Sequence, residues 1–224
     1  MDGLIHNIIR TKRKTIALQI TPEAKLIVRA PAKASIAAIH KIVREKLSWI
    51  IKKQRFIRAN YRPPVEKKFV EGENFLYLGR PYGLSIVKEM KEPLVFECGR
   101  FLLHEKYLSA AKRIFESWYK KEAGKFFRSR IALYSEICGL KYNKFKITGG
   151  RRRLGSCSAK GAINLSWRLI MTPVEVIDYV IAHELTHLKE HNHSKDFWRG
   201  VQSLYPDYKK TRAWLKANNS LLTI

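Results

Sequence analysis

The segment 181–194, IAHELTHLKEHNHS, constrains the chain more than any other part. An H-E-x-x-H pattern has mechanical meaning on an α-helix, where positions i and i+4 lie one turn apart on the same face. On such a helix His183 and His187 can aim ring nitrogens at one cation. Glu184, one residue along, projects beside the ion and can hold and deprotonate a water that the ion activates. Val176, Ile177, Val180 and Ile181 supply helical periodicity upstream, so the spacing predicts a helix from Thr172 or Pro173 to about Glu190.

A catalytic zinc needs a third protein ligand and an open position. His191 is the nearest histidine, but on a continuing helix it lies about 12 Å along the axis from His183. The third ligand must therefore come from beyond the helix end. Asn192 is a suitable left-handed stop, and His193 follows where a reversed chain can present its ring. A Glu or Asp from elsewhere in the chain is the alternative. Ser194 then reads as the N-cap of the next helix, with Phe197 and Trp198 turned inward. The three-histidine spacing equals that of the metzincins, H-E-x-x-H-x-x-G-x-x-H. Glu190 occupies their glycine position, however, and no methionine follows Met171 to make a Met-turn. The motif therefore belongs to another zincin branch.

The rest of the chain predicts an α+β fold. A hairpin is expected over 15–31 from the β-prone runs Thr15–Ile20 and Leu26–Ala30, and a helix capped by Ser35 over 35–56. Short strands follow at Phe75–Leu78, Tyr82–Val87, Leu94–Cys98 and Phe101–His104, with turns at 79–81 and 98–100. A long helix is predicted over about 106–136. Strands at Lys144–Thr148 and Ala162–Trp167 flank a connection containing Gly and Ser. Two helices between Ser194 and about Ala217, split at Pro206, close the chain. The expected division is an N-terminal basic mixed lobe, 1–105, and a zincin-like lobe, 106–224, with substrate in the cleft between them.

Composition narrows the partners. Lys and Arg number 44 against 19 Asp and Glu, a net charge of +25. A field of that size draws polyanions, so nucleic acid and nucleotides are candidate partners. The three cysteines (Cys98, Cys138 and Cys157) form no C-x-x-C pair, which speaks against a disulfide framework and for the cytoplasm. No stretch approaches the roughly 18 apolar residues of a membrane span, so no membrane partner is expected. The order of apolar and basic residues at the N-terminus is the reverse of a secretory signal.

Gly155-Ser156-Cys157, Gly161, Ile163-Asn164-Leu165, Trp167-Arg168 and the run 173–180 precede H-E-L-x-H-L, and Asn192-His193-Ser194 and Phe197-Trp198 follow it. Together they resemble the YgjP-like metal-dependent hydrolase family, related to the SprT-like zinc metallopeptidases. The resemblance is dense over roughly 140–217 and weaker in the N-terminal half. It implies one zinc ion per chain held by His183, His187 and His193, with Glu184 as base. Leu154 departs from the family, which usually has Trp there.

Other residues have two readings each. Ala162–Trp167 is either an edge strand that pairs with an extended peptide or an interior strand. Asn164 either serves the substrate backbone or satisfies a turn. Tyr205, Tyr208, Arg168 and the run Arg151–Arg153 are candidate donors to an oxyanion. Asp178, five residues before His183, either orients a ligand imidazole or caps locally. Cys157 reads as a small buried residue rather than a nucleophile. The leading expectation is a zinc-dependent metallopeptidase acting on a peptide or protein. A metal-dependent nucleoside triphosphate pyrophosphohydrolase using the same site is the alternative. A nucleic-acid-associated protein, with the basic lobe docked on DNA or RNA, is the second.

Overall fold

The computed structural model describes residues 3–60, 66–151, 153–218 and 221–224. It divides into two units, Met1–Pro63 and Pro64–Ile224.

The first unit is a three-stranded sheet with two helices. β2 (Ala17–Ile20) and β3 (Leu26–Pro31) form the expected hairpin, and β1 (Ile5–Thr11) adds to β3 in parallel, giving the order β1-β3-β2. Leu26, Val28 and Ala30 alternate inward along β3, as period-two geometry requires. They meet Ile39 and Val43 of α1 (Ile36–Glu45) and Ile50 of α2 (Leu47–Asn60). Ser35 caps α1, accepting from Ala38 N–H at 3.1 Å. The single helix expected over 35–56 is two, broken at Lys46, whose φ −103° and ψ 10° leave the helical region.

The second unit begins with β4 (Asn74–Tyr77), β5 (Arg80–Val87), β6 (Leu94–Glu97) and β7 (Arg100–His104), in the order β4-β5-β7-β6. A 3₁₀ turn leads into α3 (Ala111–Cys138). Phe75 and Phe101 from the strands pack on Phe115 of α3 at ring separations of 4.2 and 5.2 Å. That shared aromatic core is why residues 64–105 belong with the second unit and the expected boundary at 105 is not observed. The reach of Phe75 and Phe101 to α3 is a tertiary fact that local patterning does not carry.

The turn between β4 and β5 docks on the segment that starts the motif helix. Leu78 and Gly79 donate to the carbonyls of Ile170 and Met171 at 2.8 and 3.3 Å. Gly79 has φ +82°, and a Cβ there would stand 2.7 Å from Pro173 Cα, so both conformation and space demand glycine. Pro173 opens α4 (Val174–Thr186). Nearly all of α4 is buried, polar Asp178 and Glu184 included, as befits a central helix rather than a surface one.

The third sheet carries β8 (Lys144–Thr148), β9 (Gly155–Cys157) and β10 (Ala162–Ser166) in the order β8-β10-β9. β10 is therefore the central strand, which overturns its reading as an edge. The edge beside α4 is β9, three residues in the expected connection and too short for any periodicity to reveal. α5 (Lys195–Leu204) and α6 (Tyr208–Asn218) complete the unit on either side of Pro206. No helix among the described residues is long and apolar enough to cross a membrane.

Candidate metal centre

α4 ends sooner than the sequence suggests. Its last helical residue is Thr186, and His187 is the C-cap, still right-handed at φ −64°. Leu188 N–H donates to Leu185, and Lys189 and Glu190 donate to Thr186, closing the turn with short-range bonds. Asn192 is not among the residues with positive φ, so the expected left-handed stop is absent. The reversal is made by that turn, by Ser194 N–H donating to Asn192 at 2.8 Å, and by the Ser194 hydroxyl accepting from Phe197 N–H at 3.1 Å.

This path brings His183, His187 and His193 together. Their ring centroids lie 5.0, 5.0 and 4.8 Å apart, and one ring nitrogen from each falls within 4.8 Å of the others. Nε2 of His183 and Nε2 of His193 face each other at 3.1 Å. Two imidazoles on one tetrahedral zinc would hold their nitrogens about 3.3 Å apart, given bonds of about 2.0–2.1 Å. The ring of Phe197, fully buried, backs all three histidines at 4.9, 4.5 and 4.7 Å. His191 belongs to the adjoining cavity wall and not to the nitrogen cluster.

The donor set fits a divalent cation. His187 Nδ1 lies 2.9 Å from the Glu190 carbonyl, which as acceptor places the proton there and leaves the Nε2 lone pair free. Burial, with His187 and His193 adding to it, pushes His183 down to about 3, so it is neutral near pH 7. His193 is pushed down as well, by burial first and then by His187 and Arg212. Three ring nitrogens within 4.8 Å of one another form a set that could hold one metal ion.

Glu184 lies beside this cluster, only 5% exposed, with Oε2 unpartnered among the described residues. Burial pushes it up to about 8, against a smaller downward pull from Arg153. Gly155 of β9 lies directly against the carboxylate: a Cβ there would stand 2.8 Å from Glu184 Cγ and nearer still to Oε1. Two cavities meet at Glu184 and His183. One, about 460 Å³, runs along Gly155, Ser156 and Cys157 of β9 towards His187 and His193. The other, about 530 Å³, opens towards α6 between Arg153, Tyr179 and Arg212.

The remaining expected site residues lie elsewhere or have other partners. Asp178 does not reach a ligand imidazole; it forms a two-point ion pair with Arg130 of α3, at 2.7 and 2.5 Å. Arg168, 4% exposed, lies over the Trp167 ring at 4.1 Å and donates to Gly149 at 3.3 Å, so it belongs to the core. Tyr208 is buried and stacks on Trp198 at 5.3 Å, and Tyr205 packs on Tyr179 at 6.3 Å; neither lines the two cavities. Asn164 donates to Ser156 Oγ across the β9–β10 pair at 3.3 Å. Of the arginine run, Arg153 lines both cavities, and Arg152 lies outside the described residues. Cys157 is half-buried on the cavity wall, and burial together with Glu184 raises its thiol, which keeps it protonated. Gly155, Tyr179 and Arg212 were not singled out from sequence. Gly155 and Tyr179 stood in the motif stretches without a role, and Arg212 only as part of the basic cluster Lys209–Arg212.

A buried carboxyl group beside three imidazoles, one of their helices packed under a mixed sheet, makes a site that could hold a metal ion. The comparisons carry the assignment further. The YgjP-like metallopeptidase domain model matches residues 14–218, and the chain belongs to that family. The crystal structure of the metallopeptidase zymogen abylysin from Pyrococcus abyssi aligns at 23% identity and a TM-score of 0.39, covering 44% of this chain and 99% of that one. No curated protein matches the chain.

Proposed function

We propose that the chain is a zinc-dependent peptidase, with His183, His187 and His193 holding the ion and Glu184 as general base. The observation that carries this reading is the buried Glu184 side chain beside three imidazoles that bring one ring nitrogen each within 4.8 Å of the others. Zinc bound there supplies a Lewis acid for the scissile carbonyl and acidifies water. Glu184, beside the histidine cluster, takes the water's proton on its carboxylate. Gly155 leaves room for that carboxylate, and the buried Phe197 ring packs against the three histidines. The edge strand β9 offers main-chain groups to an extended substrate, and Tyr179, which lines the cavity, is a candidate donor to an oxyanion.

The test is Glu184→Gln. Hydrolysis of an unstructured protein should fall by about 10²–10⁴-fold while bound zinc stays stoichiometric; a fully active variant would refute the base assignment. A nucleoside triphosphate pyrophosphohydrolase at the same site remains the alternative, supported by Arg153 and Arg212 beside Glu184. Screening nucleotides and proteins with and without chelator separates the two.

A second reading rests on charge distribution. Residues 1–63 hold 15 Lys and Arg against 3 Asp and Glu, about half of the net charge in little over a quarter of the chain. Such a unit suits DNA or RNA phosphates, and binding that weakens steeply with salt would support it. No binding at low salt would remove it. The three free cysteines suit a reducing compartment, in keeping with a cytoplasmic site of action.

A further inference from the structure

The cavity on the α6 side of Glu184 is chemically one-sided. Arg153, Arg212 and Lys216 line it, and Glu184 is the one carboxylate among the described residues of its wall. Its apolar surface comes from Val180 and Leu215, beside the Tyr179 ring. Arg212 is exposed, but its guanidinium lies over the Trp198 ring at 4.7 Å, and that ring is stacked on Tyr208 at 5.3 Å. Trp198 in turn packs against His183 and His193 at 5.9 and 5.8 Å, so one ring separates Arg212 from the ligand cluster. Its charge acts on His183, His193 and Tyr179, and that of Arg153 acts on Glu184. Neither arginine has an ion-pair partner among the described residues.

We propose that this cavity selects substrates carrying a carboxylate next to the scissile bond, and that Arg212 and Arg153 hold that carboxylate. The inference rests on the peptidase reading and names its substrate class. An acidic side chain fits the pocket's two halves: methylenes on Val180 and Leu215, carboxylate on the guanidinium groups, which bind carboxylates in a planar, two-point fashion. The α-carboxylate of a peptide's last residue offers the same chemistry. A lysine or arginine there would meet the like charges of Arg153 and Arg212, with Glu184 the one carboxylate on the wall among the described residues. A volume of about 530 Å³ lies within the range of small-ligand sites.

The test measures binding and cleavage separately. Zinc-loaded Glu184→Gln protein is titrated with end-blocked peptides identical except for a central Glu, Gln or Lys. A further Gln peptide has its C-terminal carboxylate free, to tell the two carboxylate sources apart. Either the Glu peptide or the free-carboxylate peptide should bind about tenfold or more tighter than the blocked Gln peptide, and the Lys peptide weakest. Arg212→Gln should remove most of that ratio, and Arg212→Glu should turn it towards Lys. Arg153→Gln is the companion variant should changes at 212 disturb the Trp198 stack. Equal affinities across the panel, a ratio that survives the double Arg153→Gln, Arg212→Gln variant, or tighter binding of a nucleotide than of any peptide would overturn the proposal. Cut sites made by the wild-type enzyme in an unstructured protein supply the second readout. Cuts with no acidic bias beside them defeat the pocket assignment and leave the peptidase reading standing. No cuts at all defeat the peptidase reading, and the affinity ratios still decide what the pocket holds.

Discussion

Replacing Gly155 with alanine would push a methyl group into the Glu184 side chain. The added Cβ would stand 2.8 Å from Cγ and 2.9 Å from Cδ, and closer to Oε1. Carbon atoms prefer about 3.5–4.0 Å, so the carboxylate must move by about 0.7 Å or more. Glu184 is 5% exposed, so the room left to it is towards the two cavities that meet at its side chain. The backbone contributes no penalty: Gly155 is not among the glycines with positive φ. The strain falls on the carboxylate alone, at an overpacking cost of about 1–3 kcal/mol, small enough for the fold to survive. A misplacement of about 1 Å in a reacting group costs about 10²-fold in rate. Gly155→Ala should therefore reduce kcat/KM by roughly that factor while zinc content and secondary structure stay normal. The assay is protein hydrolysis paired with metal analysis and thermal melting. Activity within about threefold of wild type, or wholesale loss of zinc, would refute the reasoning.

Other outcomes follow from the same geometry. His183→Ala and His193→Ala should each weaken zinc binding by more than the about 10–100-fold that a supporting residue costs, whereas His191→Ala should leave stoichiometry intact; metal titration decides. Asp178→Asn should lower stability by about 2–4 kcal/mol through its broken pair with Arg130, leaving zinc content unchanged, as denaturant melts and metal analysis would show. In chelated protein, Glu184 loses its proton near 8 when folded and near 4.5 when unfolded, so the folded state holds an extra proton between those values. Its contribution is fully present below 4.5 and is lost as pH rises towards 8, by up to about 1.4 kcal/mol per pH unit. Denaturation of chelated Glu184→Gln across that window should lack the decline.

What could be read from sequence was local. Ser35 and Ser194 announced their helices because a hydroxyl one residue before an apolar period is a local device, and Gly79 and Gly99 marked turns that need positive φ. The spacing of His183, Glu184 and His187, followed by a ring just beyond the helix end, is likewise carried within a dozen residues. What stayed hidden depends on distant parts of the chain. Arg130 lies 48 residues from Asp178, so no window could show that the carboxylate was already engaged. β1 pairs in parallel with β3 across the intervening β2, and strand order rather than strand pattern decides that β9, not β10, faces the site. Arg168 carries no sign in the sequence that Trp167 and Gly149 hold it inside.

His193 lies immediately before Ser194, whose hydroxyl starts α5, while His183 belongs to α4 and His187 to its cap. An ion held by all three would therefore act as a clasp between two helices that the chain joins only by a short turn. Its departure would free the 188–193 link to open and close, and amide exchange there would quicken well before either helix melts.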